Sequence, residues 1–343
     1  MDVVLAMTHS GAETSQHDPK IVCTRDPTNM SLMLMGTRRR LRARSSWSDR
    51  LMASLDERAN VLETPRGAVQ LAREGQGPAV LIAHGGPGGF DQGLAFYRHL
   101  RDGGCQLLAL SRPGYLRTPL SSGRRPEEQA DLYAAILDTL DIEQAAIVGH
   151  SSGGPSAVHF AARHPDRATA LLLDAAILKR FVTDFSALER ATLESSLLVR
   201  FSYEFARRWP ARMAAYAVGG MSAGMTKEQK RAAVESITGD RSRLGAMQQA
   251  LESVAPLEYR KPGWDNDQAN EADLGQLPFT AITTPTLIAH GSVDRNIPRD
   301  HGTGAAERIA GAELMLVEEG HHALSLSRNY GPIAERQLEL AHG

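Results

Sequence analysis

The sequence has few cysteines, no long apolar run and almost no net charge. Its two cysteines, Cys23 and Cys105, lie in the N-terminal tail and beside a predicted strand, so we expect no structural disulfide. No Cys-x-x-Cys motif or Cys/His cluster suggests a metal site, and no run approaches the ~18 apolar residues of a transmembrane helix. A net charge of −2 gives no field that would recruit nucleic acid or an anionic membrane.

The first 58 residues lack the apolar periodicity of the rest of the chain. They contain an arginine-rich segment, 38–44, and the apolar patch 32–35 precedes it, whereas a secretory signal has its basic residues first. We expect residues 1–58 to form a disordered extension, or to reflect translation assigned from too early a methionine. The alternative is a membrane-surface or targeting role for the arginines. The expected location of the protein is the cytoplasm.

From about Val61 the chain alternates short apolar runs with helical patterns. Continuous runs such as Ala79–Ala83 are typical of strands buried on both faces, and their alternation with helices implies a parallel sheet. A length of 343 residues is ample for one large α/β domain with an insertion. We predict a hairpin across 61–73, strands at 79–83, 106–110, 145–148, 170–173, 285–290 and 313–317, and helices at 126–140, 154–164, 300–310 and from about 330.

The alternation breaks between about residues 177 and 280. This stretch is nearly all helical in pattern, with helices predicted at 183–208, 226–238 and 241–254. It is too long for a simple connection between neighbouring elements. We therefore predict a helical cap at 178–280, inserted into an α/β core formed by residues 59–177 and 281–343.

The segment Ala145–Gly154 carries the strongest functional signal. An apolar run leads directly into Gly-His-Ser-Ser-Gly and then into a helical pattern, which is the context of a G-x-S-x-G nucleophile elbow. Ser151 is the candidate nucleophile. A second match, Gly220–Gly224, follows no strand-like run, so Ser222 is predicted to be a loop residue.

A serine nucleophile needs a histidine base and a carboxylate that orients the histidine. Asp294 follows the predicted strand that ends at His290, and a pair of histidines follows the last strand. We favour His322 as the base, with His321 as the alternative, and Asp294 as the acid, with Asp174 as the alternative. The order serine, acid, histidine is that of the α/β-hydrolases.

The third requirement is a pair of N–H donors for the oxyanion that develops on the substrate carbonyl. Ser152, directly after the candidate nucleophile, would supply one. The other would come from the glycine-rich loop His84–Gly89, where Gly86 is our choice. The remaining histidines near these strand ends, His84, His150 and His290, are expected to be hydrogen-bonding scaffold.

Together these segments resemble the α/β-hydrolase superfamily over about residues 61–343. The resemblance rests on His84–Gly89, Ser111–Tyr115, Gly149–Gly153, His290–Asp294 and Gly320–His322, which follow the order of that family. It implies a mostly parallel sheet flanked by helices, with Ser151 as nucleophile, Asp294 as acid, His322 as base, and Gly86 and Ser152 as the oxyanion hole. The loop His84–Gly89 also resembles that of prolyl iminopeptidases, although their elbow typically reads Gly-Gly-Ser-Trp-Gly.

We therefore expect a cofactor-free and metal-free serine hydrolase, most simply a carboxylesterase for a small or medium apolar substrate. An aminopeptidase and a carbon–carbon bond hydrolase are the competing predictions for the enzyme class. An aminopeptidase would need cap carboxylates to bind the substrate ammonium, and Glu204, Asp265 and Asp267 are available. A non-catalytic binding protein of the same fold is the alternative of another class. The expected partner is a small-molecule substrate, with no nucleic acid and no stable membrane insertion.

Overall fold

The sheet that carries the fold has eight strands in the computed structural model, which describes residues 46–183, 191 and 194–343. Their order is β1-β2-β4-β3-β5-β6-β7-β8, and pairing is parallel from β4 to β8, with β1 and β2 antiparallel at one edge. The mostly parallel α/β sheet predicted from the sequence is therefore confirmed. The strands are β1 Asn60–Thr64, β2 Gly67–Glu74, β3 Ala79–Ala83, β4 Gln106–Leu110, β5 Ala145–His150, β6 Ala168–Asp174, β7 Thr286–Gly291 and β8 Glu313–Val317.

Helices cover both faces of this sheet, and the alternation of side chains along each strand divides the core in two. On β3, Val80 and Ile82 pack into one apolar cluster, whereas Leu81 and Ala83 pack into the other. Every residue of β5 is buried, as expected for a central parallel strand. The helices of the core are α1 Trp47–Asp56, α2 Phe90–Phe96, α3 Arg98–Asp102, α4 Pro126–Thr139, α5 Gly154–Arg163, α11 Asp300–Ala306 and α12 Gly331–His342.

A run of helices separates β6 from β7, where the alternation of the sequence breaks. It comprises α6 Ser196–Arg208, α7 Pro210–Met221, α8 Lys227–Thr238, α9 Arg241–Glu252 and α10 Lys261–Ala272. The helices predicted at 226–238 and 241–254 correspond to α8 and α9. The one predicted at 183–208 is confirmed from Ser196, where α6 begins after the extended residue Ser195, and residues 184–190, 192 and 193 lie outside the described part of the chain. Helix α10 was not predicted, since its sequence is mainly polar.

The prediction that residues 1–58 form a disordered extension is wrong for α1. Its segment 47–56 is helical, and Met52 and Leu55 are buried in the core. Arg117 also pairs with Asp56, at the end of this helix, at 2.7 Å. The apolar stripe is only about two turns long, too short to stand out as a sustained period. Residues 1–45, including Cys23 and the arginine-rich segment, lie outside the residues that the structure describes.

None of the described helices is both long and apolar enough to span a membrane. Cys105 is a buried free thiol.

Truncation of Met52 tests whether α1 belongs to the folded protein. Met52→Ala removes a fully buried side chain, so we expect a loss of about 2–5 kcal/mol in the free energy of unfolding, measured with urea. Ser54→Ala, on the exposed side of the same helix, should change it by less than about 0.5 kcal/mol. Equal effects of the two substitutions would contradict the packing described for α1.

Candidate active site

Ser151 lies on a tight turn between β5 and α5. Its backbone has φ of 50°, in the left-handed region that non-glycine residues seldom adopt. The neighbouring glycines are needed for close packing, because a Cβ on Gly149 would lie 2.7 Å from Cβ of Ala157 and one on Gly153 would overlap the carbonyl of Ala83. The turn therefore presses the start of α5 against the sheet and holds Ser151 at the carboxyl end of β5. This is the strand–turn–helix arrangement predicted for the elbow.

The structure brings Ser151, His322 and Asp294 together. Nε2 of His322 lies 3.1 Å from Oγ of Ser151, and Nδ1 lies 2.9 Å from Oδ2 of Asp294. A carboxylate at Nδ1 favours the tautomer with its proton there, which leaves Nε2 free to accept the serine proton. The three side chains come from the turns after β5, β7 and β8, so the parallel strands deliver them to one edge of the sheet.

Asp294 is held as an ionised acceptor. Its other carboxylate oxygen, Oδ1, accepts hydrogen bonds from the N–H groups of Asn296 at 2.8 Å and Ile297 at 3.0 Å. Burial raises the pKa of Asp294, but the charge and hydrogen bond of His322 and the bond from Ile297 outweigh it, so the net pKa is lowered. His290 forms part of the support, with Nε2 donating to the Ile297 carbonyl at 3.0 Å.

His321 and Asp174, the two alternatives left open by the sequence, are not part of this hydrogen-bond chain. Both ring nitrogens of His321 are buried and have no hydrogen-bond partner within the described part of the chain. The Asp174 carboxylate accepts hydrogen bonds from Tyr97, Tyr330 and Gln337 inside the core. Burial raises the pKa of Asp174 to about 6 despite these three bonds. The geometry favours His322 and Asp294.

Ser152 and the loop that carries Gly86 both adjoin the candidate nucleophile. Ser152 follows Ser151 directly, and a Cβ added to Gly85 would come within 3.0 Å of Cβ of Ser151, which places the loop against the serine. The N–H of Gly85 is already used, since it donates to Oε1 of Gln92 at 2.8 Å. The N–H of Gly86 makes no hydrogen bond to any residue that the structure describes. It is therefore available as a donor.

Two buried arginines hold the loop His84–Gly89, and the sequence did not reveal their role. Arg112, after β4, donates from Nε to the His84 carbonyl at 2.7 Å, and Arg260, directly before α10, donates to the Gly88 carbonyl at 2.7 Å. Arg112 forks onto Asp267 of α10, and Arg260 forks onto Asp91 of α2. Burial lowers the pKa of Arg112, but the charge of Asp267 raises it above its ordinary value overall.

Two of the candidate scaffold histidines are neutral hydrogen-bonding groups in this arrangement. Nε2 of His84 accepts the N–H of Arg112 at 3.0 Å, so its proton lies on Nδ1, which contacts the Gly85 carbonyl at 2.7 Å. Nδ1 of His150 lies 3.1 Å from the Asp174 carbonyl. Burial lowers the pKa of both rings, to about 3 for His150. His84 and His150 thus hold nearby backbone groups in position, which is the scaffold role expected from the sequence.

Of the three cap carboxylates proposed for an ammonium group, only Asp267 faces this site. Glu204 is exposed and accepts the indole N–H of Trp47, and Asp265 is exposed and pairs with Lys261. Asp267 is already engaged by Arg112 and Tyr115. A fourth carboxylate, Glu271, was missed by the sequence reasoning. It is 5% exposed, one turn beyond Asp267 on α10.

Neutralisation of Asp267 should destabilise the protein because it leaves the Arg112 charge buried without its partner. For Asp267→Asn we expect a loss of about 3–5 kcal/mol in the free energy of unfolding, measured with urea. Asp265→Asn is the matched control on the same helix, where an exposed pair with Lys261 is worth no more than about 0.5 kcal/mol. A loss below about 1 kcal/mol for Asp267→Asn would show that the buried pair does not hold α10 to the core.

Comparisons with known proteins agree with this architecture. The family model described as alpha/beta hydrolase fold matches residues 78–328. The chain is 24% identical to the uncharacterized hydrolase YcgS of Bacillus subtilis over 280 residues, covering 80% of this chain and 95% of that protein. It is 26% identical to a 2-hydroxy-6-oxo-6-phenylhexa-2,4-dienoate hydrolase of Comamonas testosteroni, covering 73% and 83% of the two chains.

Among solved structures, the chain is similar to an alpha/beta hydrolase fold protein from Nakamurella multipartita. The two are 35% identical and superpose with a TM-score of 0.79, over 83% of this chain and 100% of the other.

Proposed function

The chain belongs to the alpha/beta hydrolase family, and from that premise we propose that it is a serine hydrolase that cleaves a carboxylic ester through an acyl-enzyme. The observation that carries the proposal is the unbroken hydrogen-bond chain from Ser151 through His322 to Asp294. A serine hydroxyl becomes a useful nucleophile only with such a base and orienting acid. The helices α6–α10 would act as a cap over the site.

In the proposed reaction, Oγ of Ser151 attacks the ester carbonyl while Nε2 of His322 takes the hydroxyl proton. Asp294 stabilises the imidazolium, which then gives the proton to the departing alkoxide, and the alcohol leaves. Water, deprotonated by His322, attacks the acyl-serine and releases the carboxylic acid with return of the proton to Ser151. Nucleophile and proton carrier are both side chains of this chain, so the reaction requires no cofactor or metal.

The tetrahedral intermediates would be stabilised by the N–H groups of Gly86 and Ser152. One such donor is worth about 3–4 kcal/mol of barrier when it is positioned in advance. The two arginine forks support this role because they fix the loop that carries Gly86 at His84 and Gly88.

The sequence suggested an apolar substrate, and the surroundings of Ser152 modify that expectation. The cleft beside it is lined in part by polar side chains, including Gln129, Asn270 and Glu271. We propose a small or medium substrate that is apolar only in part and carries a polar group on this side.

Carbon–carbon bond hydrolysis is the second candidate, because a relative at 26% identity is a dienoate hydrolase. A dienoate carries a carboxylate, which an unpaired arginine would bind best. Arg112 lines the cleft, but its guanidinium is forked onto Asp267, and Glu271 would repel an anion. Ester cleavage is therefore better supported.

Replacement of Ser151 tests the mechanism directly. We expect Ser151→Ala to lower kcat for p-nitrophenyl esters about a thousand-fold or more and to abolish labelling by a fluorophosphonate. Ser222→Ala is the matched control, since Ser222 lies in the second Gly-x-Ser-x-Gly match and its hydroxyl has no partner among the described residues. It should keep its rate within about two-fold. Turnover retained by Ser151→Ala would refute the mechanism, and a wild-type protein that is neither labelled nor active would point to a binding role.

Exchange of the acid tests the choice between Asp294 and Asp174. Asp294→Asn should lower kcat for the same ester about 10³–10⁴-fold at neutral pH, because the amide favours the wrong tautomer of His322. Asp174→Asn should lower thermal stability, since it disturbs the buried bonds to Tyr97, Tyr330 and Gln337, but should lower kcat less than about ten-fold. The reverse ranking of the two rates would assign the acid to Asp174.

A further inference from the structure

A narrow cleft lies between α4, α5 and α10, beside Ser152, the residue that follows Ser151. Its lining includes Gln129 from α4, Ser152 and Ser156 from the elbow and α5, and Asp267 and Glu271 from α10. The free space accommodates a group about the size of one water molecule, which is also the size of an ammonium group.

Two buried oxygens of this lining have no hydrogen-bond partner among the residues that the structure describes. They are Oε1 of Gln129 and Oε1 of Glu271, on side chains that are 2% and 5% exposed. A buried acceptor without a donor costs about 1–3 kcal/mol, and a charged one costs more. While Glu271 is ionised both atoms are acceptors, so the cleft then lacks a hydrogen-bond donor.

The charges of the cleft favour a cationic donor. The Arg112 guanidinium is matched by Asp267, whereas the Glu271 carboxylate has no ion pair within the described part of the chain. Burial and the nearby charge of Asp267 raise the pKa of Glu271 to about 7, against the lowering effects of a side-chain hydrogen bond with Ser152 and of the Arg112 charge. A bound cation would supply the countercharge that this carboxylate lacks.

The cleft adjoins both proposed oxyanion donors. Ser152 is part of its lining, and Asp267 lies against Gly86, where an added Cβ would be 3.2 Å from Oδ2. A group held in the cleft would therefore lie beside the residues that carry these two donors.

We propose that this cleft is a subsite for a protonated amine on the acyl part of the substrate, held by the Glu271 carboxylate and the Gln129 side-chain carbonyl. The assignment rests on the proposed ester hydrolysis for its placement relative to the reacting carbonyl. It makes the preferred substrate an amino-acyl ester and excludes one with a carboxylate at that position.

The test compares esters that differ only in the group offered to the cleft. Two pairs place the amine at different distances from the carbonyl: alanine ethyl ester with ethyl isobutyrate, and β-alanine ethyl ester with ethyl butyrate. Ethyl hydrogen succinate presents a carboxylate instead. At about pH 7.5, above the pKa of about 7 of Glu271, we expect kcat/KM for one of the two amino esters to exceed that of its alkyl partner about ten-fold or more, with succinate the poorest substrate.

Variants assign the preference to the cleft. Glu271→Gln should reduce the amino-to-alkyl ratio of kcat/KM to about two or less, and Gln129→Met should reduce it partly. Asp265→Asn removes an exposed carboxylate from the same helix and should keep the wild-type ratio. A ratio is insensitive to a general loss of active protein, so a purely structural role of Glu271 would not change it.

Binding to Ser151→Ala, measured by calorimetry, separates the subsite from the chemistry. Tighter binding of the favoured amino ester than of its alkyl partner, lost in the Ser151→Ala/Glu271→Gln double variant, would support the subsite even if no ester were turned over. Ester turnover without any amine preference, or a preference that survives Glu271→Gln, would overturn the subsite and leave the proposed hydrolysis standing.

Discussion

The geometry of the site depends on two buried arginine–aspartate pairs that cross between the sheet and the inserted helices. Arg112 of the core pairs with Asp267 of α10, and Arg260, at the start of α10, pairs with Asp91 of the core. Each guanidinium also binds one end of the loop His84–Gly89 through a backbone carbonyl. The loop that presents Gly86 is thus fixed by the same groups that fix α10, so neither can move without breaking a buried, charge-assisted contact.

Such pairs are a poor source of net stability, because the desolvation of two charges offsets most of their attraction. The advantage of these pairs is geometric, since a planar guanidinium donates two parallel hydrogen bonds only to a carboxylate in a narrow range of positions. The backbones add to this constraint where Gly114 and Gly263 meet, with the N–H of Gly263 donating to the Gly114 carbonyl at 2.9 Å. A Cβ on Gly114 would lie 2.6 Å from Cα of Gly263. Close approach and directional charge together hold α10 over the loop.

The parts of the fold predicted from the sequence are those set by local patterns. Apolar runs located the strands, and the order of Ser151, Asp294 and His322 predicted a cluster that the sheet assembles, because parallel strands end at one edge. Helix α10 and Glu271 were missed for a physical reason. That helix is held by Asp267 and by Arg260, the residue directly before it, rather than by an apolar stripe, so its periodicity carried no signal. The pairing of Asp267 with Arg112 spans 155 residues, and no local pattern reports a contact of that kind.

The residues proposed for the chemistry have local sequence signals, whereas the contacts proposed to determine selectivity join distant parts of the chain. Ser151, Ser152 and Gly86 lie on short core turns whose glycines and strand ends can be recognised one at a time. The helices between β6 and β7 contact the turns of the site: α10 lies against Gly86 and Ser152. The end of α7 pairs with the turn that carries Asp294, where the N–H of Ala223 donates to the Val293 carbonyl at 2.8 Å. A change in the insertion would therefore alter both the shape of the cleft and the position of the groups beside it. The proposed selectivity would thus depend on contacts between the core and these helices, and only the folded chain contains those contacts.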